Sequence, residues 1–155
     1  MEYPFQPKST LHFQVGNFWP ILLPDGDFAC GMVLALTPGS RTMFLAALLD
    51  WRGSEPPTGS DLIDCKVLEQ GEAHLKVIKE GYGWITGMLP KDVEPPSPLL
   101  WTEHLGEAKW GLYRGFELIN VIDSERAEQY PRKRTWGYNV INRLAARRLS
   151  TQQDA

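Results

Sequence analysis

The sequence predicts a mainly β protein: an antiparallel, strongly bent sheet or a small barrel, followed by a C-terminal α-helix. Short runs rich in apolar, β-branched and aromatic residues recur through residues 13–122, with turn residues between them, as is typical of small β-domains. Glycines within these runs, such as Gly16 and Gly31, favour the bends or bulges that curve a sheet. Helical spacing of apolar residues appears after residue 139, so we expect the helix near the end of the chain.

The best-defined element is a β-hairpin within residues 13–36. Pro24 and Gly26 frame its turn, because proline presets φ and glycine accepts the positive φ that lets the chain double back. The first arm is apolar on both sides, so we expect it to be covered on both faces. Pro20 lacks an amide donor, which places this arm at a sheet edge or at a bulge.

Further strands are expected over residues 42–49, 62–68, 73–78, 82–89, 110–113 and 116–122. The strands at 62–68 and 73–78 are predicted to meet at a turn around Gln70 and Gly71. Two stretches rich in proline, residues 51–60 and 90–98, are predicted to be long loops, and long loops often carry function.

Two helices are predicted after residue 122. Asp123 or Ser124 can cap a short helix that Pro131 ends. The longer helix places apolar residues on one face and arginines on the others; the apolar set is Val140, Ile141, Leu144, Ala145 and Leu149, and the arginines are Arg143, Arg147 and Arg148.

The chain is expected to form one domain with an appendage. At 155 residues and 43% hydrophobic, it is long enough for one real core. We divide it into an extended lead-in (residues 1–12), a β-domain (13–122) and a basic helical C-terminal extension (123–155). Charge is uneven along the chain: residues 1–125 carry 9 Lys and Arg against 17 Asp and Glu, a net −8, whereas residues 126–155 carry 7 against 2, a net +5.

The sequence indicates neither a membrane span nor a signal peptide. Its longest apolar stretch, residues 43–49, is much shorter than the ~20 residues that cross a bilayer, and no basic region leads into an apolar one near the start. We therefore expect a cytoplasmic protein with no membrane partner. Cys30 and Cys65 lie in separate apolar runs, which predicts buried free thiols.

No pattern of residues points to enzymatic chemistry. The histidines are isolated from one another and the cysteines are unpaired in spacing, so we expect no metal and no cofactor. No serine or cysteine lies in a nucleophile-elbow context. The carboxylates of Glu55, Asp61 and Asp64 are interpreted as solvated groups rather than a catalytic pair. We expect the protein not to be an enzyme.

The hairpin sequence VGNFWPILLPDG...GMV resembles the immunity protein 26 family of bacterial polymorphic toxin systems. Gly16-Asn17 stands where members have Gly-Asp; residues 21–26 match the turn, 31–33 the second arm, and 83–90 a further Trp-containing strand that ends in Pro. The likeness covers roughly residues 13–120. It implies a non-enzymatic immunity protein that binds and neutralises a cognate bacterial toxin.

The partner-binding surface is predicted on two loops, residues 50–64 and 95–103. Each loop carries a tryptophan beside charged residues, and tryptophan is enriched at protein interfaces. The alternative for both tryptophans is that they plug the loops onto the domain. The predicted contact residues are Asp50, Trp51, Glu55, Asp61, Asp64, Trp101 and Glu103. Their acidity suits a basic toxin, such as a nuclease, because opposite charges accelerate encounter.

The competing hypothesis is a nucleic-acid-binding small barrel whose basic tail grips phosphates. Trp136 lies within the basic stretch 132–136 and could stack on a base or pack under the last helix. The acidic body of the chain repels nucleic acid, so we favour the protein-binding hypothesis.

Overall fold

The computed structural model describes residues 2–149. Within that range nine strands form two sheets: β1 Asn17–Leu22, β2 Phe28–Leu36, β3 Met43–Gly53, β4 Val67–His74, β5 Gly87–Met88, β6 Leu100–Gly106, β7 Lys109–Arg114, β8 Glu117–Asp123 and β9 Thr135–Trp136. The helices are α1 Lys76–Lys79, α2 Ser124–Ala127 and α3 Val140–Arg148, with 3₁₀ turns at Thr10–His12 and Gly59–Leu62. The larger sheet has the order β5-β1-β2-β3-β4-β9, and the smaller sheet has the order β6-β7-β8.

The predicted mainly β fold class, with a C-terminal helix, is confirmed. The named strands of the described chain pair antiparallel except β4 and β9, which are parallel. Of the two forms that the sequence left open, the barrel is not formed: within residues 2–149 the larger sheet stays open, with β5 and β9 at its edges. Register shifts in the β2–β3 and β3–β4 pairs mark bulges, which bend a sheet.

Both faces of the larger sheet are covered at its centre, because β2 and residues 43–49 of β3 carry no polar side chain. One face carries Trp19, Phe44 and Leu48, and it is covered by the N-terminal segment, α1 and α3. Alternate residues of the same strands, among them Met32 and Leu45, form the second core with residues of the loops and of β6. A small third core lies between the smaller sheet and α2; it consists of Leu112, Ile122 and Ala127.

The predicted hairpin is confirmed as β1 and β2. The turn is closed by the Leu23 amide donating to the Asp27 carbonyl at 2.8 Å, and Gly26 has a φ of 93°. Within the described chain β1 pairs with β5 at Asn17 and Phe18 alone, so Pro20 lies where that edge of β1 is open. A residue without an N–H is tolerated there.

Three strand predictions are wrong in detail. The predicted turn at Gln70 and Gly71 does not exist, because β4 runs straight through both residues and α1 follows it. Gly71 is kept inside a strand because the ring of Trp136 lies against its Cα, where a Cβ would clash. The predicted strand at 82–89 is reduced to the two residues of β5, and β6 emerges from the second proline-rich loop where no strand was predicted.

Gln70 ties this second loop to the larger sheet. Its side-chain amide donates to the Leu99 carbonyl at 3.0 Å and accepts from the Leu99 amide at 2.7 Å. Gln70 is buried, and both of its polar ends are bonded to one backbone residue. The start of β6 is therefore fixed against β4, which sets the position of the smaller sheet.

The two terminal segments belong to the same packing as the β-domain. In the predicted lead-in, Phe5 pairs with Ile85, and Tyr3 and Phe5 contact the first core. In the predicted extension, Asp123 caps α2 by accepting from the Arg126 amide at 2.9 Å, and α2 ends at Ala127, before Pro131.

Helix α3 forms at the predicted place, and its buried residues, Ile141, Leu144 and Ala145, join the core of β1–β3. Residues 150–155 of the predicted extension lie outside the described residues. No helix in the described range combines the length and the apolar character needed to cross a membrane.

Candidate protein-binding surface

Asp50, Asp61 and Asp64 of the predicted surface are exposed, and their charges act on Cys65. Burial raises the pKa of the partly buried Cys65 thiol; Asp50, through its charge and a hydrogen bond, and the charges of Asp61 and Asp64 raise it further, to about 11. Asp50 lies on β3, and the other two residues lie in the connection between β3 and β4. We call these three residues the acidic cluster.

Backbone contacts fix the positions of the cluster. The Asp50 carboxylate accepts from the Lys66 amide at 2.7 Å. The Asp61 carboxylate accepts from the Thr58 amide at 2.9 Å and from the Thr58 hydroxyl at 3.0 Å, which closes the 3₁₀ turn. Asp64 has a φ of 69°, a left-handed conformation that Asp and Asn adopt more readily than most residues.

Trp51 and Glu55 flank the cluster in different ways. The Trp51 side chain is partly buried against the second core, and its ring covers Gly53 so closely that a Cβ there would clash. Glu55 is exposed in the loop. Between Trp51 and Gly53, Arg52 forms ion pairs with Asp25 and Asp27 of the hairpin turn and donates to the Leu149 carbonyl.

Trp101 and Glu103 do not join the acidic cluster. Trp101 is 3% exposed, lies in the second core, and donates from Nε1 to the Gly115 carbonyl at 2.6 Å. Trp101 therefore packs its segment onto the domain, which is the alternative to a surface role, and its side chain is not available at the surface. Glu103 is exposed on β6, where it borders a cavity shared with Thr37 and Lys133.

The two thiols are free, as their separate positions suggested. Cys30 is fully buried, and desolvation holds its pKa well above the ordinary value. Cys65 is only partly buried, whereas a buried thiol was predicted. Because the thiolate is the reactive form, both environments suppress nucleophilic character near neutral pH.

The basic segment after residue 130 is partly neutralised by β4. Lys133 pairs with Glu72 at 3.4 Å, and Arg148 pairs with Glu69. Trp136 is buried in the first core, so it packs beneath the last helix. These contacts join the basic end of the chain to the acidic body.

Two surface features were missed by the sequence reasoning. The Trp110 ring lies 4.9 Å from the His104 ring and 5.2 Å from the Arg132 guanidinium, and it borders a cavity of about 410 Å³. The strand β8 leaves apolar side chains exposed. Its polar ends around an apolar centre, ELINVID, are a signal that could have indicated an edge strand.

Among residues 2–149, no three His, Cys, Asp or Glu side chains come together in a group that could hold a metal ion. Comparisons with protein-family models, with curated proteins and with solved structures found no match to this chain.

Proposed function

We propose that this protein is a non-enzymatic, cytoplasmic bacterial immunity protein that neutralises a cognate toxin, and that the acidic cluster is part of the contact surface. The observation that carries the proposal is that Asp50, Asp61 and Asp64 are all exposed near the β3–β4 connection, with the first two carboxylates held by the Lys66 and Thr58 amides. Concentrated charge on fixed carboxylates accelerates encounter with a basic partner and selects against acidic ones.

An apolar contact is available next to this charge. Ile63 is 43% exposed and lies in sequence between two members of the acidic cluster. Exposed apolar residues ringed by polar groups are a common feature of protein interfaces. The half-buried Trp51 ring lies near the end of β3, just before this loop. Charge would steer the toxin to this surface, and burial of Ile63 would slow its dissociation.

The nucleic-acid alternative is less well supported. It relies on a free basic tail, yet Lys133 and Arg148 are paired with carboxylates of β4. Trp136, the aromatic residue that could have stacked on a base, is 5% exposed. Arg132 on the Trp110 ring remains an aromatic and cationic pair that nucleic acid could use.

The test is binding and growth rescue with the toxin domain encoded next to this gene. The triple variant Asp50→Asn, Asp61→Asn, Asp64→Asn removes three charges but keeps an acceptor oxygen for the Lys66 and Thr58 amides. It should slow association with the toxin by roughly tenfold at low salt and flatten its salt dependence. The matched control changes three other exposed acids by the same charge: Glu80→Gln, Asp92→Asn, Glu94→Gln.

The two variants separate a local surface from overall charge. Equal slowing by both would show that net charge alone steers association and would rule out the acidic cluster as the contact. A toxin that neither binds the protein nor is neutralised by it would contradict the proposed function. Titration with random DNA and RNA at two salt concentrations tests the alternative, which predicts tight and strongly salt-dependent binding.

A further inference from the structure

The smaller sheet ends in β8, an edge strand that exposes three of its four apolar side chains; the fourth, Ile122, lies in the third core. Leu118, Ile119 and Val121 are 50%, 48% and 50% exposed. The opposite edge of this sheet is protected: Thr102 of β6 donates to the Pro131 carbonyl at 2.8 Å and accepts from the Lys133 amide at 2.7 Å. No segment of the described chain pairs with the outer edge of β8 in this way.

A backbone donor on β8 is bonded outside the sheet. The Val121 amide donates to the side-chain oxygen of its neighbour Asn120 at 2.9 Å, although Val121 lies opposite Gly111 in the β7–β8 register. Asn120 is exposed, so its side chain can rotate away without leaving the core. The carbonyl of an added strand could then take its place, as in recognition by β-strand addition.

The ends of β8 define the charge of the occupant. Glu117 and Asp123 are both exposed. They face Arg114 and Lys109 across the β7–β8 ladder, but no cation of the described chain lies within 4 Å of either carboxylate. One Asp123 oxygen caps α2 by accepting from the Arg126 amide, and the other can accept a further bond. An added strand with a positive residue at each end would meet these two carboxylates.

A second copy of this chain fits the same edge poorly. In the antiparallel arrangement that overlaps two β8 strands fully, Glu117 of each copy lies opposite Asp123 of the other. Like charges directly opposite each other destabilise a strand pair. The acidic ends thus disfavour self-association, which is a known means of protecting an exposed edge.

We propose that β8 binds an extended segment of a partner protein as a further strand, with Lys or Arg at the two ends of that segment and β-branched or apolar residues between them. Backbone hydrogen bonds would supply affinity, and the charged ends would supply selectivity. This inference goes beyond the proposed toxin neutralisation and uses none of the residues of the acidic cluster.

The probe is a seven-residue peptide of alternating Thr and Val with Lys at both ends, blocked at both termini. Added to the isotope-labelled protein, it should shift the amide resonances of β8, including Val121, in a saturable way. A control peptide with Glu in place of both Lys should bind at least tenfold more weakly. Substitution of Glu117→Lys should reduce the preference for the basic peptide, with the β8 fold judged from the unperturbed spectrum.

A double variant tests the apolar contact. Leu118→Ser with Val121→Ser removes apolar surface without adding charge and should weaken binding of the basic peptide at least tenfold. The matched control is Leu11→Ser with Leu22→Ser, two leucines that are 61% and 64% exposed elsewhere, and it should bind as the unsubstituted protein does.

Several results would overturn the proposal. These are no saturable shift in β8, shifts confined to other strands, or equal binding of the two peptides. A protein dimer that dissociates on Val121→Lys would also overturn it, since the occupant would then be a second copy. The peptide titration requires no toxin, so its failure can be told apart from a failure of the proposed function.

Discussion

Two tryptophan rings in the first core lie against glycines in the middle of strands. Trp19 covers Gly31 on β2, and Trp136 covers Gly71 on β4; a Cβ on either glycine would lie far inside the contact distance of the ring. These glycines are retained for space and not for a positive φ. The first pair links the two arms of one hairpin, and the second links β4 to an aromatic residue that is distant in sequence.

Gly71→Ala should destabilise the protein by about 1–3 kcal/mol, because a methyl group forced into a packed core displaces its neighbours. Thermal or urea unfolding measures this loss. Gly137→Ala is the matched control, since the nearest atom to its Cβ would be a Val140 methyl at 3.9 Å, an ordinary contact. Equal effects of the two substitutions would show that loss of glycine flexibility, and not the Trp136 contact, determines the result.

The Cys65 thiol reports on the acidic cluster. Its pKa of about 11 means that little thiolate exists at pH 8, so a maleimide should react slowly and then faster as the pH rises towards 11. The triple Asn variant of the acidic cluster should lower this pKa and speed the reaction at pH 8 severalfold. Mass spectrometry identifies the modified cysteine, and an unchanged rate would show that burial alone, and not the three carboxylates, raises this pKa.

The same pKa has a consequence for stability with a definite sign. The folded-state pKa of Cys65 lies above the ordinary thiol value of 9.0, so folding favours the protonated thiol. Its contribution to stability is fully present below about pH 9 and is lost as the pH rises towards 11.

At the level of elements, Trp101 shows how a predicted surface residue becomes structural. Trp101→Ala should lower the free energy of unfolding by roughly 3–5 kcal/mol, since it deletes a large buried side chain. Trp101→Phe keeps an aromatic ring but leaves the Gly115 carbonyl without the Nε1 donor. It should therefore lower the free energy of unfolding by less than Trp101→Ala does. Chemical denaturation of both variants, with toxin affinity measured on the folded fraction, separates stability from binding. A drop in affinity at full folding would instead make Trp101 a contact residue.

The elements that sequence predicts correctly are those whose signals are local. The hairpin is set by Pro24 and Gly26 within a few residues of the turn, and α3 is set by its own apolar spacing. The missed elements depend on distant partners. Gly71 suggests a turn in the sequence, but it lies within β4 because the Trp136 ring packs against it. The strand β6 follows a proline-rich loop, and the end of that loop is fixed by Gln70.

The predicted contact residues also differ in whether nearby or distant parts of the chain determine their positions. Asp61 is held by a local contact with the Thr58 amide, whereas Asp50 on β3 is held by the Lys66 amide, 16 residues further along the chain. Trp101 went to the core because its partner, the Gly115 carbonyl, lies on the turn between two other strands. Nothing near Trp101 in sequence indicates that contact.

For the whole molecule, the basic C-terminal segment completes the main core. The strand β9 pairs with β4, and α3 places Ile141, Leu144 and Ala145 beside Trp19 and Phe44. Three polar contacts also fix this segment. Lys133 and Arg148 form ion pairs with carboxylates of β4, and Arg52 donates to the Leu149 carbonyl. The basic C-terminal segment is thus attracted to the acidic body of the same chain, which is where part of the charge asymmetry of the sequence is neutralised.

This arrangement predicts that α3 unfolds together with the β-sheets. Ile141→Ala should lower the free energy of unfolding by about 2–5 kcal/mol, because Ile141 is fully buried against strands far away in sequence. The control Arg143→Ala, on the exposed face of the same helix, should change it by less than about 0.5 kcal/mol. Circular dichroism and tryptophan fluorescence should give coincident transitions for both variants. If α3 instead melted first, with fluorescence of the sheets unchanged, the helix would be an appendage and Ile141→Ala would leave the main transition in place.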